Sequence, residues 1–246
     1  MAVGDGVRKN GLLITRKLSK HFGGLQAVGD ISLTIEEGSL TGIIGPNGSG
    51  KTTLFNVITG YLKATKGDVF YNGEKITGMI PFELVNKGIA RTFQVPQCCK
   101  SLTIRENIRL ACLTGYAGDM IEERTRAFAE IVKIDQHLGV EAKNVPIGFL
   151  RKTEIAMALA TNPKLLLLDE PFSGLTDMEC NELSAIVQSL QGKITLVVID
   201  HNLKHLMPIV ERVLVLNEGR IFLEGFPDEV VRNRDVQKIY IGEEIR

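Results

Sequence analysis

Gly45-Pro46-Asn47-Gly48-Ser49-Gly50-Lys51-Thr52 decides how this chain is read. It fits the pattern G-x-x-x-x-G-K-[ST], and its surroundings suit it: Ser39–Ile44 is a short apolar run of strand character, and Thr53–Thr59 can continue as a helix. The residue types follow from the chemistry of a triphosphate. Gly45, Gly48 and Gly50 carry no Cβ to keep backbone amides away from phosphate oxygens, and they permit positive φ. The loop amides and the start of the following helix form an anion site. Lys51 brings positive charge to the β- and γ-phosphates, and the Thr52 hydroxyl can ligate Mg²⁺.

Further along, Leu165–Leu168 is an apolar run of buried-strand length that ends in Asp169-Glu170. A buried strand delivers carboxylates to its C-terminal edge, where open α/β sheets bind ligands. Beside a phosphate loop, Asp169 is expected to hold the Mg²⁺ shell and Glu170 to orient or deprotonate an attacking water. Gln94, in Arg91-Thr92-Phe93-Gln94, and His201, in Ile199-Asp200-His201, carry little meaning alone, as a surface amide and a histidine after a strand. Their order relative to the other motifs gives them weight.

The bulk numbers set the class. The chain has 246 residues, 44% hydrophobic and 24% charged, which is globular composition with ample core material. Lys+Arg and Asp+Glu both count 29, so no basic excess argues for nucleic acid. Cys98, Cys99, Cys112 and Cys180 include no CxxC pair and predict neither a zinc site nor a disulfide framework, but reduced thiols. Met1–Asn10 is polar and predicts no secretory leader, and no run approaches the ~18 apolar residues of a membrane span.

The first third reads as β-rich, with strands over Leu12–Arg16 and Asp30–Ile35 and a hairpin at Asn72-Gly73, a pair suited to a type I′ turn. From about Pro96 to Pro146 the pattern becomes helical, and Glu122–Ile134 carries Phe128, Ile131 and Val132 at helical spacing. The last hundred residues alternate helix and strand. Arg151–Thr161 is predicted helical. Thr176–Glu179 fits a capping box for a helix presenting Leu183, Ile186, Val187 and Leu190 and stopping at Gly192, and Ile194–Ile199 is a buried strand. Alternating strands and helices imply a mainly parallel sheet.

Taken in order, Phe22, the phosphate loop, Gln94, the helical stretch, Asp169-Glu170 and His201 resemble the ABC transporter ATP-binding subunits from about Leu12 onward. Gly88-Ile-Ala-Arg-Thr-Phe-Gln94 and Tyr240-Ile-Gly-Glu-Glu244 are similar to those of branched-chain amino acid importers. The resemblance implies an α/β fold: a P-loop NTPase core with a mainly parallel sheet (12–95 and 150–246), an N-terminal antiparallel β part, and an inserted helical subdomain (96–149), all within one cassette domain. It implies ATP and Mg²⁺ as cofactors. Phe22 would stack on adenine, and Gly45, Pro46, Asn47, Gly48, Ser49, Gly50, Lys51, Thr52, Thr53 and Asp169 would bind the nucleotide. Thr52, Gln94 and Asp169 would serve the metal, and Glu170, His201 and Gln94 would serve hydrolysis. Ser173–Thr176 would cross a dimer interface. The partners implied are a second ATP-binding subunit and membrane permease subunits docking on the helical subdomain, with the chain peripheral on the inner face of the cell membrane.

One departure stands out. Where the family places Leu-Ser-Gly-Gly-Gln, this chain reads Val145-Pro146-Ile147-Gly148-Phe149, and only Gly148 survives. In the family that segment caps the ATP of the opposite subunit. Pro146 has neither hydroxyl nor N–H, and Phe149 cannot donate as glutamine does. The loss of these donors, with the resemblance, points to an unlike pair: this chain's own site is competent if the partner brings a good signature, and the partner's site is poorly capped. The alternative is that the segment keeps its function through Gly148 and backbone groups, in which case a homodimer would serve. Two other classes compete. One is a soluble ABC-type ATPase with no membrane partner. The other is a small-molecule phosphotransferase whose lid would use Arg105, Arg109, Arg124 and Arg126.

Overall fold

The computed structural model describes residues 11–241. The chain divides into two compact units, residues 1–84 with 210–246 and residues 85–209.

In the first unit, β1 (Leu13–Phe22), β2 (Leu25–Ile35), β4 (Lys66–Tyr71) and β5 (Glu74–Lys75) form an antiparallel sheet in the order β2-β1-β4-β5. The β4–β5 turn is the expected one: Asn72 and Gly73 take φ 48 and 77, the paired positive values of a type I′ turn. The strand β3 (Leu40–Ile44), buried along its whole length, runs parallel to β9 (Arg212–Asn217), which forms an antiparallel hairpin with β10 (Arg220–Gly225). Sequence reading did not anticipate this hairpin. Its turn uses Glu218 and Gly219 at φ 47 and 75, a weaker signal than Asn-Gly. Helix α1 (Lys51–Ile58) follows β3 and buries Leu54, Phe55, Val57 and Ile58. Two short helices, α8 (Pro227–Arg232) and α9 (Arg234–Ile241), follow β10. Met1–Asn10 and the 242–244 part of the tail string lie outside the described residues.

Helix α2 (Pro81–Asn86) leads into the second unit. There β6 (Ile89–Arg91), β7 (Leu165–Asp169) and β8 (Thr195–Ile199) are parallel, with β7 in the middle and fully buried, as its unbroken Leu run requires. Helices α3 (Ile104–Cys112), α4 (Met120–Ile131) and α5 (Ile147–Ala160) pack on one another. Helix α6 (Asp177–Leu190) begins with the predicted capping box of Thr176 and Glu179, buries Leu183, Ile186, Val187 and Leu190, and is followed by Gly192 at φ 75. The short α7 (Leu203–Leu206) comes after β8.

Of the three apolar residues noted at helical spacing in α4, Val132 is buried and Ile131 is exposed; Thr125 and Ala129 are buried beside Val132, and Lys133, at φ 58, follows the helix end. Arg105 and Arg126 both bond Glu122, and Arg124 lies over the Tyr116 ring at 5.4 Å. Arg105 and Arg126 are thus part of an exposed, ion-paired helix surface. The four cysteines carry free thiols, and burial pushes that of Cys98 up to about 12.

Candidate functional site

The phosphate loop lies wholly in the first unit. Gly45 sits at φ 153, and a Cβ there would come within 2.1 Å of the Leu216 carbonyl oxygen. Gly50, at φ 102, would place a Cβ 2.3 Å from the Ala27 carbonyl oxygen. Both positions therefore admit glycine alone. The loop is also tied from the side: Gly219 donates to the Ser49 carbonyl at 3.0 Å and accepts from the Gly29 amide at 2.7 Å. Lys51 is 5% exposed, and its Nζ donates to the carbonyls of Gly45 at 2.8 Å and Pro46 at 2.9 Å. A buried ammonium lodged in the mouth of a glycine loop gives the cradle its positive charge. Phe22, at the end of β1, is half exposed with Lys20 Nζ 5.0 Å from its ring centre, a face open to a planar ligand.

The second unit gathers the other predicted residues. Asp169 ends β7 at 1% exposure, and its Oδ2 accepts from Arg91 Nη2 at 2.7 Å. Arg91, on the neighbouring strand β6, offsets a carboxylate that would otherwise be strongly unfavourable at such depth. Glu170 follows at φ 47, a left-handed value that only glycine takes without strain, of order 1–3 kcal/mol. Its amide donates to the Ile199 carbonyl at 2.8 Å and its carbonyl accepts from the Ser173 amide at 3.2 Å, so the surrounding backbone enforces the bend. The bend turns the carboxylate toward two of the expected partners. Gln94 Nε2 donates to Glu170 Oε2 at 3.0 Å, and His201 Nδ1 lies 3.7 Å from the same oxygen. Gln94, Glu170 and His201 are thus brought together.

Sequence reading missed several supporting residues. Asp200, fully buried, accepts from the amides of Phe172 at 3.0 Å and Asn202 at 2.8 Å, which holds the turn carrying His201. Arg151 and Glu154 of α5, both buried, bond the backbone around Gln94. The only available signal for them was a cluster of charges, Arg151, Lys152 and Glu154, on a largely apolar helix.

The segment 145–149 opens α5. Pro146 is its N-cap and supplies no side-chain cap. The Phe149 ring packs on His137 with centroids 4.4 Å apart. Gly148 faces Glu179 so closely that a Cβ would lie 2.6 Å from Oε1. Its retention has a packing reason within this unit.

Comparison with known proteins agrees with this geometry. Residues 28–173 match the ABC transporter family model. A probable branched-chain amino acid transport ATP-binding protein LivG of Archaeoglobus fulgidus is 33% identical, over 94% of this chain and 95% of that protein. The high-affinity branched-chain amino acid transport ATP-binding protein BraF of Pseudomonas aeruginosa is 33% identical, over 92% and 96%. Among solved structures, the ADP conformation of an ATP-binding cassette from an ABC transporter superposes with a TM-score of 0.87 at 33% identity, covering 94% of this chain and 98% of that one. A dimeric cassette in a post-hydrolysis state, bound to ADP and Pi, gives 0.79 at 25% identity, covering 87% and 98%. The fold is that of these cassettes, and the chain belongs to the ABC transporter family, whose ATP-binding cassettes are dimerising ATPases that work with membrane permeases.

Proposed function

We propose that this chain is the ATP-hydrolysing subunit of a membrane importer for branched-chain amino acids, working as one half of an unlike pair of cassettes. The observation that carries the hydrolytic part is the bent, 8% exposed Glu170 with Gln94 Nε2 at 3.0 Å and His201 Nδ1 at 3.7 Å. The cargo is taken from its relatives, which are branched-chain amino acid transport ATP-binding proteins.

Each residue has a task. Phe22 stacks on adenine, and Gly45–Thr53 with Lys51 hold the phosphates. Glu170 accepts a proton from the attacking water, a step of general base type, with Gln94 fixing the carboxylate and the water. His201 contacts the γ-phosphate. The donors offered to a metal fit Mg²⁺: the Asp169 carboxylate, the Thr52 hydroxyl and the Gln94 amide oxygen are hard ligands. Among the described residues no group of three or more His, Cys, Asp or Glu could enclose an ion, which suits a cation that takes its remaining ligands from phosphate and water. When bound, Mg²⁺ neutralises phosphate charge.

Residues 96–149, with α3 and α4, act as the helical subdomain that receives the permease. No helix among the described residues is long and apolar enough to cross a membrane, in keeping with a peripheral subunit on the inner face. The unlike pair follows from Val145–Phe149, whose side chains serve α5 and its packing and supply no donor for a partner's ATP. The test is uptake of leucine, isoleucine and valine by cells carrying Lys51→Ala in this chain. Selective loss of that uptake supports the reading. Unchanged uptake with lost ATP binding would point to a cassette with no role in this transport.

A further inference from the structure

Helix α5 carries two buried charges one turn apart, Arg151 and Glu154, 4% and 5% exposed, and no step above uses them. Both face a single stretch of backbone. Arg151 Nη1 donates to the Phe93 carbonyl at 2.8 Å, and Nη2 donates to the Gln94 carbonyl at 2.6 Å and to the Ser173 carbonyl at 3.4 Å. Glu154 Oε1 accepts from the amides of Phe93 at 3.1 Å and Gln97 at 3.2 Å. Between these anchors the Gln94 side chain reaches Glu170.

We propose that Arg151 and Glu154 form a clamp that positions Gln94 against Glu170, and that its link to Ser173 ties the interface loop to the same support. They are positioning residues, acting through Gln94. The inference rests on the ATPase reading of Glu170.

The physics favours a positioning device over plain packing. Gln94 lies in a non-helical stretch after β6 and is itself exposed, so the chain there has few contacts of its own. Arginine's planar fork suits two adjacent carbonyls, and residues three apart on a helix lie on one face. Two charges are buried to hold one loop, and Glu154 Oε2 is buried with no hydrogen bond. Desolvation pushes the Glu154 carboxyl up to about 7 and lowers Arg151 below its ordinary value. Apolar residues would fill the same space without these penalties.

The experiment uses the full chain mixed with an unlike cassette bearing Leu-Ser-Gly-Gly-Gln. Arg151→Met and Glu154→Met are made in the wild-type and Gln94→Ala backgrounds, with single-turnover ATP hydrolysis, nucleotide affinity and amide exchange at Phe93 and Gln97 as readouts. The clamp predicts unchanged affinity, a loss of turnover of about 10²-fold for Arg151→Met, and no further loss once Gln94 is alanine. Equal losses in both backgrounds, or affinity falling with turnover, would overturn it. Should Arg151→Met fail to fold, Glu154→Met decides: exchange at the two amides rises about 10-fold if the clamp exists, and stays unchanged if it does not. If the wild-type chain mixed with that cassette shows no hydrolysis that Glu170→Gln removes, the ATPase reading and the catalytic part of the clamp are overturned, while the exchange rates still decide its structure.

Discussion

The turn that opens α1 and the turn that opens α5 are the two helix starts that the sequence reading assigned to ATP, and they are built in opposite ways. At α1 the constraint is the main chain: Gly45 and Gly50 lie where a Cβ would collide with main-chain oxygens, and Lys51 is drawn into the loop. At α5 the side chains turn to the protein itself. Pro146 caps the helix without a side-chain bond, Phe149 packs on His137, and Gly148 makes room for Glu179. Two loops of similar place thus differ in what constrains them. One is constrained by main-chain oxygens and the other by neighbouring side chains.

That contrast can be broken by mutation. The largest effect is expected from Gly50→Val. A side chain at φ 102, 2.3 Å from the Ala27 oxygen, adds about 3 kcal/mol or more of strain, and nucleotide binding should be lost by equilibrium titration. Retained affinity would mean that the loop is less tightly specified than its geometry indicates. Restoring donors at the other turn, with Pro146→Ser and Phe149→Gln together, should raise turnover of the chain alone by about 10²-fold. No gain would mean that backbone groups there already cap ATP.

The third expectation concerns α5 and pH. Burial raises Glu154 from 4.5 to about 7, so between these values the folded state keeps a proton that the unfolded chain has released. Stability should therefore fall as pH rises from 4.5 to 7, by on the order of 3 kcal/mol, and level off above. Glu154→Gln should flatten that dependence in denaturant titrations across the window. A variant that parallels the wild type would show that Glu154 titrates normally. The smallest effect is that of Gly148→Ala. It should leave ATP affinity untouched and lower stability by about 1 kcal/mol, since the Glu179 side chain can shift. A loss of ATP affinity in this chain would contradict the packing role.

The same contrast explains what could be read before the fold was known. The phosphate loop, the Asn72-Gly73 turn and the Thr176 capping box were legible because each is a local requirement satisfied within a few residues, and the structure has φ values and bonds to match. The β9–β10 hairpin escaped because Glu218 takes a positive φ without being a residue that signals it. In α4 the helical spacing was legible, but which residues it buries depends on packing on α3 and α5. Arg91, Arg151, Glu154 and Asp200 were invisible for a stronger reason. Apart from neighbours such as the Asn202 amide beside Asp200, their partners are backbone or carboxylate groups 22 to 78 residues away, and nothing local marks such pairs.

The central claim is that this chain can hydrolyse ATP yet lacks the cap that a second copy would need. Its most direct test is ATP turnover of the purified chain alone and mixed with an unlike cassette bearing Leu-Ser-Gly-Gly-Gln, each repeated with Glu170→Gln in this chain. The account predicts little turnover alone and a rise of about 10²-fold on mixing that Glu170→Gln removes. Equal turnover with and without the partner, abolished by Glu170→Gln in both, would show that two copies suffice and that Val145–Phe149 is a working cap.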